Sequence, residues 1–368
     1  MKNKVPITIT VFVIIFLYFS SNLVAGKTDI NDLKNGKVPE RKAELKKVME
    51  ITDDSQNFYF KYPHDLKTGN DGSIYFRDSS QMLRFDQEGK LLNNYYKKGQ
   101  GPGESVSVRG YFLKGDNLII FSGSPKKIME FHKNGKYLKE FRLFQKFLFG
   151  KLILYNKEGY YFVNSEIPVI KNNGWNNVKS NFDLIKITGP LKMTKTKTFA
   201  GKMLVMKYGN GRSYNRNIKF VWRIHKGGKY LALSHTEKYS VKIYDIKKNL
   251  VIRKFNRKYK RFKDNSKKNS DWVSFNGKKF FPPKREYDSD INNIYLQNKE
   301  ILVETSRINM EKGRLIDRFS WEGKYLDYFY LKTKGDIMMI QNNYVYVREK
   351  DEDENLFIVK YQLNIIKK

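Results

Sequence analysis

Four stretches of the chain repeat one order of apolar and polar positions. Phe85 to Leu92 reads F-D-Q-E-G-K-L-L, Phe131 to Leu138 reads F-H-K-N-G-K-Y-L and Phe319 to Leu326 reads F-S-W-E-G-K-Y-L. A degenerate copy, Y-D-I-K-K-N-L-V, runs from Tyr244 to Val251. Each sets an aromatic at a strand end, then a polar turn with Gly or Asn, then an apolar restart, which is how a β-hairpin is written. A short apolar run precedes each copy: S-I-Y-F (Ser73 to Phe76), N-L-I-I-F (Asn117 to Phe121), Y-L-A-L-S (Tyr230 to Ser234) and E-I-L-V-E (Glu300 to Glu304). Two weaker units, Lys151 to Thr188 and Gly335 to Leu363, complete the set. A unit of three to four strands recurring at roughly 40 to 50 residues cannot bury its faces alone, so the copies must stack around an axis. The pattern predicts an all-β fold, a six-bladed β-propeller spanning residues 48–368. The strand around Val359 to Leu363 is expected to close the ring on one near Val48 to Ile51. A β-sandwich is the alternative, but it would not generate a recurring F-x-x-x-G-K-x-L.

The stretch G-S-I-Y-F-R-D-S-S-Q-M-L-R-F-D-Q-E-G-K-L-L, Gly72 to Leu92, resembles one NHL-type blade. G-Q-G-P-G-E, Gly99 to Glu104, follows it, and F-F-P-P-K-R-E-Y, Phe280 to Tyr287, precedes the Glu300 strand. In this order the segments resemble the secreted six-bladed propellers of Bacteroides and related bacteria, from about Phe58 to Leu363. The segment Lys254 to Lys279 departs from that pattern in being far more basic. The resemblance implies a fold and a secreted setting; most members of the family have no assigned activity, so it implies no reaction.

The glycines of K-K-G-Q-G-P-G-E, Lys97 to Glu104, do not make a phosphate loop. Such a loop needs G-x-x-x-x-G-K-[ST] between a strand and a helix, so that backbone N–H groups meet the anion. Here no Lys-Ser/Thr follows, Pro102 removes a donor, and strand-like residues come next. Gly99, Gly101 and Gly103 are expected to supply positive φ angles for a tight crossing between blades.

The start of the chain carries a different signal. Lys2 and Lys4 precede the apolar run Val5 to Phe19, and Ala25 and Gly26 end the segment. This order describes a secretory signal peptide over residues 1–26, followed by a polar leader over 27–47. An uncleaved anchor is the competing reading, because Val5 to Ala25 approaches the ~20 residues of a membrane span. Either way the remainder is placed outside the cytoplasm. The chain has no cysteine, which excludes disulfides, thiolate metal sites, cysteine nucleophiles and cysteine-linked lipid.

Composition adds charge. The 71 Lys and Arg against 38 Asp and Glu give a formal +33, a surface that attracts polyanions. From Lys247 to Arg285, fifteen basic residues face only Asp264 and Asp271. Within it R-K-F-N-R-K-Y-K-R-F-K interleaves bases with aromatics, so Arg253, Lys254, Arg257, Lys258, Lys260 and Arg261 form the candidate anion-binding patch. The competing reading is an amphipathic outer strand running into a solvated loop, its aromatics packed inward. Export argues against nucleic acid and for an anionic glycan, a lipid head group or another envelope protein.

Signs of catalysis are weak. His64, His132, His225 and His235 show no H-x-x-x-H spacing and no adjoining carboxylate cluster, so no metal and no cofactor is expected. Asp351 to Glu354 is too contiguous for a calcium loop and reads as a hairpin tip. No G-x-S-x-G elbow is present. The expected role is therefore an exported binding module. The rival is a propeller hydrolase or lyase whose ligands gather at the mouth of the central channel.

Overall fold

The computed structural model describes residues 28–31, 39–53, 58–143, 150–166, 169–189, 192–209, 211–214, 218–258, 261–263 and 273–367. The expected signal peptide and Lys260 lie outside them. The regular structure is entirely β. Among the described residues, no helix is long and apolar enough to cross a membrane.

Two strands precede the repeating units, β1 (Thr28–Asn31) and β2 (Glu40–Ile51). Blade 1 is β3 (Pro63–Thr68), β4 (Ile74–Asp78), β5 (Gln81–Phe85) and β6 (Leu91–Asn94). Blade 2 is β7 (Ser107–Lys114), β8 (Asn117–Ser124), β9 (Lys126–His132) and β10 (Tyr137–Arg142). Blade 3 has five strands: β11 (Lys151–Asn156), β12 (Gly159–Glu166), β13 (Gly174–Ile187), β14 (Met193–Tyr208) and β15 (Gly211–Tyr214). Blade 4 is β16 (Phe220–Ile224), β17 (Tyr230–His235), β18 (Ser240–Asp245) and β19 (Leu250–Arg257). A small hairpin, β20 (Val273–Phe275) and β21 (Lys278–Phe280), leads into blade 5. That blade is β22 (Ile291–Leu296), β23 (Glu300–Asn309), β24 (Gly313–Ser320) and β25 (Tyr325–Leu331). Blade 6 is β26 (Asp336–Gln341), β27 (Tyr344–Lys350) and β28 (Leu356–Lys367), with β2 as its outer strand.

The repeated motif is one and the same hairpin, joining the third and outer strands of blades 1, 2, 4 and 5. Its turn glycines, Gly89, Gly135 and Gly323, have φ of +92°, +93° and +89°, and Asn249 takes their place at +56°. This left-handed conformation is one that Gly and Asn adopt at least cost. Blade 6 lacks the motif for a topological reason: its outer strand comes from the other end of the chain. β2 and β28 pair antiparallel with Met49 opposite Lys360 and Ile51 opposite Ile358, closing the ring where the pattern placed the closure.

The leader boundary is corrected by the same pairing, because Glu40 to Lys47 already belongs to β2. Thr28–Asn31 and the start of β2 lie at outer strands of the blades. β1 lies parallel to β19, and Glu40 and Arg41 bridge to β25.

Apolar clusters fill the gaps between blades. Tyr75, Met82, Tyr111 and Leu118 seal blades 1 and 2. Val241, Phe255, Val303 and Phe319 seal blades 4 and 5. Ile74, Phe85, Tyr346 and Ile358 seal the closure between blades 6 and 1. Burying one such side chain contributes about 1.5–3 kcal/mol, so each blade is held by its neighbours rather than by its own strands.

The GQGPGE segment is the joint between blades 1 and 2. Glu104 folds back to accept from the Gly101 N–H at 2.9 Å, and Glu140 accepts from the Gly103 N–H at 2.9 Å. The fully buried Lys127 ammonium joins Gly101 O (2.5 Å) to Glu140 (2.8 Å). Of the three glycines only Gly103 is clearly left-handed, at φ +71°; Gly101 instead lies against the Glu104 carboxylate. The acidic run Asp351 to Glu354 is the tip of the β27–β28 hairpin, where Asp351 accepts from the Asp353 and Asn355 N–H groups.

Candidate functional site in the central channel

The first strand of each blade, β3, β7, β11, β16, β22 and β26, stands around the central axis. A radial sheet points its side chains into the gaps on either side, so charged residues on these strands meet where the gaps open to the axis. One group of them is strongly unbalanced.

Asp65 is its hub. The β3–β4 pairing is irregular between His64 and Lys67, and Asp65 adopts φ +59°. Its carboxylate then faces Lys151 at 2.9 Å, Arg77 at 3.3 Å and Lys67 at 3.9 Å. Lys151 comes from blade 3 and passes over blade 2. Gly110 of β7 permits this approach, since a Cβ there would lie 2.9 Å from the Leu152 nitrogen. Arg223 of blade 4 adds a fourth cation, close enough to depress the protonation of both lysines.

Aromatic groups hold the lysines in place. Lys67 donates to Tyr111 O at 2.5 Å and sits 3.8 Å from the centre of the Tyr111 ring. The Tyr111 hydroxyl donates to Asp65 O at 2.5 Å, and Lys151 lies 5.4 Å from the Trp222 ring. Lys67 and Lys151 are deep within the protein, yet their side chains remain 26% and 33% exposed. They line solvent rather than pack into the core.

The protonation preferences follow from this crowding. Burial disfavours the Asp65 carboxylate, but Lys151, Lys67 and Arg77 together outweigh it and hold the group well below the usual carboxylate range. Lys67 is pushed down to about 8, by burial first and then by Lys151, Arg77 and Arg223, with Asp65 opposing. Lys151 is lowered for the same reasons, and His64 is lowered by burial and by Arg77. The lysines are thus lowered first by burial, with Asp65 opposing and the neighbouring cations adding to the shift.

A neighbouring network differs in being balanced. Asp336 meets Arg348 at 2.6 Å and Arg314 at 3.6 Å, while Glu304 meets Arg314 at 3.0 Å. Two carboxylates there face two guanidinium groups. Lys226 of the β16–β17 turn donates to Gly69 O of the β3–β4 turn at 3.4 Å, linking blade 4 to blade 1 across the axis.

The basic segment named from sequence is not one surface. Arg257 is 6% exposed and pairs with Asp317, which also accepts from Tyr239 (2.5 Å) and Tyr325 (3.0 Å). Burial raises the Asp317 carboxyl even with Arg257 beside it. Arg257 therefore ties blade 4 to blade 5 and leaves the candidate patch; alternation along β19 turned it inward together with Phe255. Arg261 pairs with Asp290 at 2.9 Å and lies over Tyr287. Arg253 and Lys254 are half-buried on β19, whose edge is covered by β1, and Lys258 is exposed.

The histidines are dispersed. His132 and His225 accept turn N–H groups through Nδ1, and the His235 ring lies 2.9 Å from Lys202 O. Among the described residues, no group of three or more His, Asp or Glu is placed to hold a metal ion. Asp65, Lys67, Arg77, Lys151 and Arg223 went unnoticed in the sequence because they are scattered over β3, β4, β11 and β16, with no shared local pattern. The available signal was a charge inside one of the inner strands of a blade, as in P-H-D-L-K-T, I-Y-F-R-D and F-V-W-R-I.

A ring of six radial sheets closed by strands from both ends defines a six-bladed β-propeller with a cation-lined channel. Residues 51–277 match the family model DUF5128, described as 6-bladed beta-propeller, and the chain belongs to that family. Two solved structures share the architecture. A Bacteroides fragilis protein named for its expected export has TM-score 0.51 and 12% identity, covering 93% of this chain and 100% of its own. A DUF4221-family member from Bacteroides vulgatus has TM-score 0.51 and 10% identity, covering 88% and 99%. Both are similar in fold alone. No curated protein matches the chain.

Proposed function

We propose that this protein is an exported propeller that binds an anionic ligand in its central channel. One observation carries the proposal: Lys67, Arg77 and Lys151 converge on the single carboxylate of Asp65, and Arg223 stands close to both lysines. Cations that exceed their counter-ions in a solvent-lined space favour an incoming anion, because its binding relieves repulsion already present. The order of charged, apolar and small residues in 1–26 supports export, and the Bacteroides fragilis relative is named for export too. The ligand would be the anionic group of an envelope glycan, a lipid head group or an envelope protein. A hydrolase or lyase would call for carboxylates and histidines converging at the mouth. The Asp65 group instead supports binding.

The test is titration of the mature chain, from Lys27 on, with anionic probes across a salt series, beside Lys67→Ala and Lys151→Ala variants. The proposal expects one class of anion to bind with modest salt dependence and to be lost in both variants. Equal, salt-erased binding of every polyanion by all three proteins would overturn it.

A further inference from the structure

We infer that the channel is selective for a phosphate-type dianion over carboxylates, and that Asp65 imposes this selectivity as a resident counter-ion. The inference rests on the channel reading above and names the ligand's chemistry. Asp65 is a carboxylate already seated among the cations, with Lys151, Arg77 and Lys67 all facing it. Being tethered, it competes at an effective concentration of about millimolar or higher, so a free monocarboxylate gains little by displacing it. Four cations against one carboxylate leave three positive charges unmatched. A phosphate monoester carries close to two negative charges at neutral pH and can bind beside Asp65 instead of replacing it. An arginine fork such as Arg223, beside the two lysine ammonium groups, suits its several oxygens.

The backbone makes Asp65 testable. At φ +59° an aspartate can be exchanged for Asn or Gly without new strain, since both tolerate the left-handed region. Asp65→Asn keeps the shape and removes the charge. Asp65→Gly also empties the space that the carboxylate occupied.

The experiment is calorimetric titration of the wild type and both variants with methyl phosphate, inorganic phosphate and acetate at pH 7.5. Vesicles containing phosphatidic acid form a separate arm that tells a lipid head group from a soluble ester. The wild type is expected to bind a phosphate probe at least about tenfold more tightly than acetate. Asp65→Asn should tighten phosphate further, and Asp65→Gly should gain acetate binding by about tenfold as acetate fills the vacated seat. Equal wild-type affinity for acetate and phosphate would overturn the inference, as would unchanged acetate binding in Asp65→Gly. Neither result touches the channel reading, which fails separately if Lys151→Ala leaves every affinity unaltered. If both Asp65 variants fail to fold, the wild-type comparison of phosphate with acetate still decides.

Discussion

The basic strand of blade 4 and the central channel are the two places where positive charge collects, and they are opposites. In blade 4 the bases are neighbours in sequence, yet the fold disperses them. Arg257 goes inward to Asp317, Arg261 goes to Asp290, and Arg253 and Lys254 stay on a strand edge covered by β1. In the channel the bases come from four strands, yet the fold brings Lys67, Arg77 and Lys151 to one carboxylate and Arg223 close to the two lysines. Charge density along a chain and charge density in space are different quantities. A radial architecture separates them strongly, since every blade contributes one strand to the axis.

The largest effect belongs to the blade 4 side. Arg257 and Asp317 are almost fully buried, with side chains 3% and 0% exposed. Arg257→Ala leaves Asp317 as an uncompensated buried acid and is expected to cost about 3–5 kcal/mol in urea unfolding, with channel binding unchanged in the folded fraction. A loss below about 1 kcal/mol, the range of a surface pair, would mean that Arg257 is not structural.

The channel side comes next. Lys151→Ala removes a charged partner of both Asp65 and the ligand, and should weaken phosphate binding about ten- to hundredfold while leaving the seam between blades 4 and 5 intact. If that variant binds normally and a blade 4 variant does not, the comparison is reversed.

Acidity sharpens the contrast further. With Lys67 pushed down to about 8, the free protein loses this charge as pH rises past 8, so phosphate affinity should fall by up to about tenfold per unit. The sign for stability is the reverse. An unfolded lysine stays protonated to about 10.4, so between pH 8 and that value the unfolded chain binds the extra proton. This group's contribution to stability therefore rises with pH. Lys67→Met should flatten the binding profile, and an unchanged profile would show that another group governs it.

The smallest effect is expected at the remaining bases of β19 and its end. Changing Arg253, Lys254 and Lys258 together to Ser should alter channel affinity less than about twofold, while lowering weak attraction to polyanions at low salt. A larger drop in phosphate affinity would restore β19 as the recognition surface.

How much of this was legible depends on range. The hairpin turns were, because Gly89, Gly135 and Gly323 need a left-handed angle that the sequence states locally. The ring closure was, because V-M-E-I at the end of β2 and V-K-Y-Q-L in β28 are strand-like stretches left without a partner at the two ends of the repeat. The start of β2 at Glu40 was not, since E-R-K-A-E-L-K-K looks solvated and becomes a strand only beside β28. The channel was illegible for a stronger reason. Lys151 reaches Asp65 only because Gly110 lets β11 approach β7, and no local pattern encodes that three-blade arrangement. Arg257 shows the converse, a local pattern that was clear about charge and silent about direction.

The most direct measurement is an anomalous difference map from crystals soaked in selenate, a heavy oxyanion analogue. The account predicts a peak in the channel within hydrogen-bonding reach of Lys67, Lys151 and Arg223, absent from Lys151→Ala crystals. An empty channel, with selenate found only along residues 253–258, would contradict it.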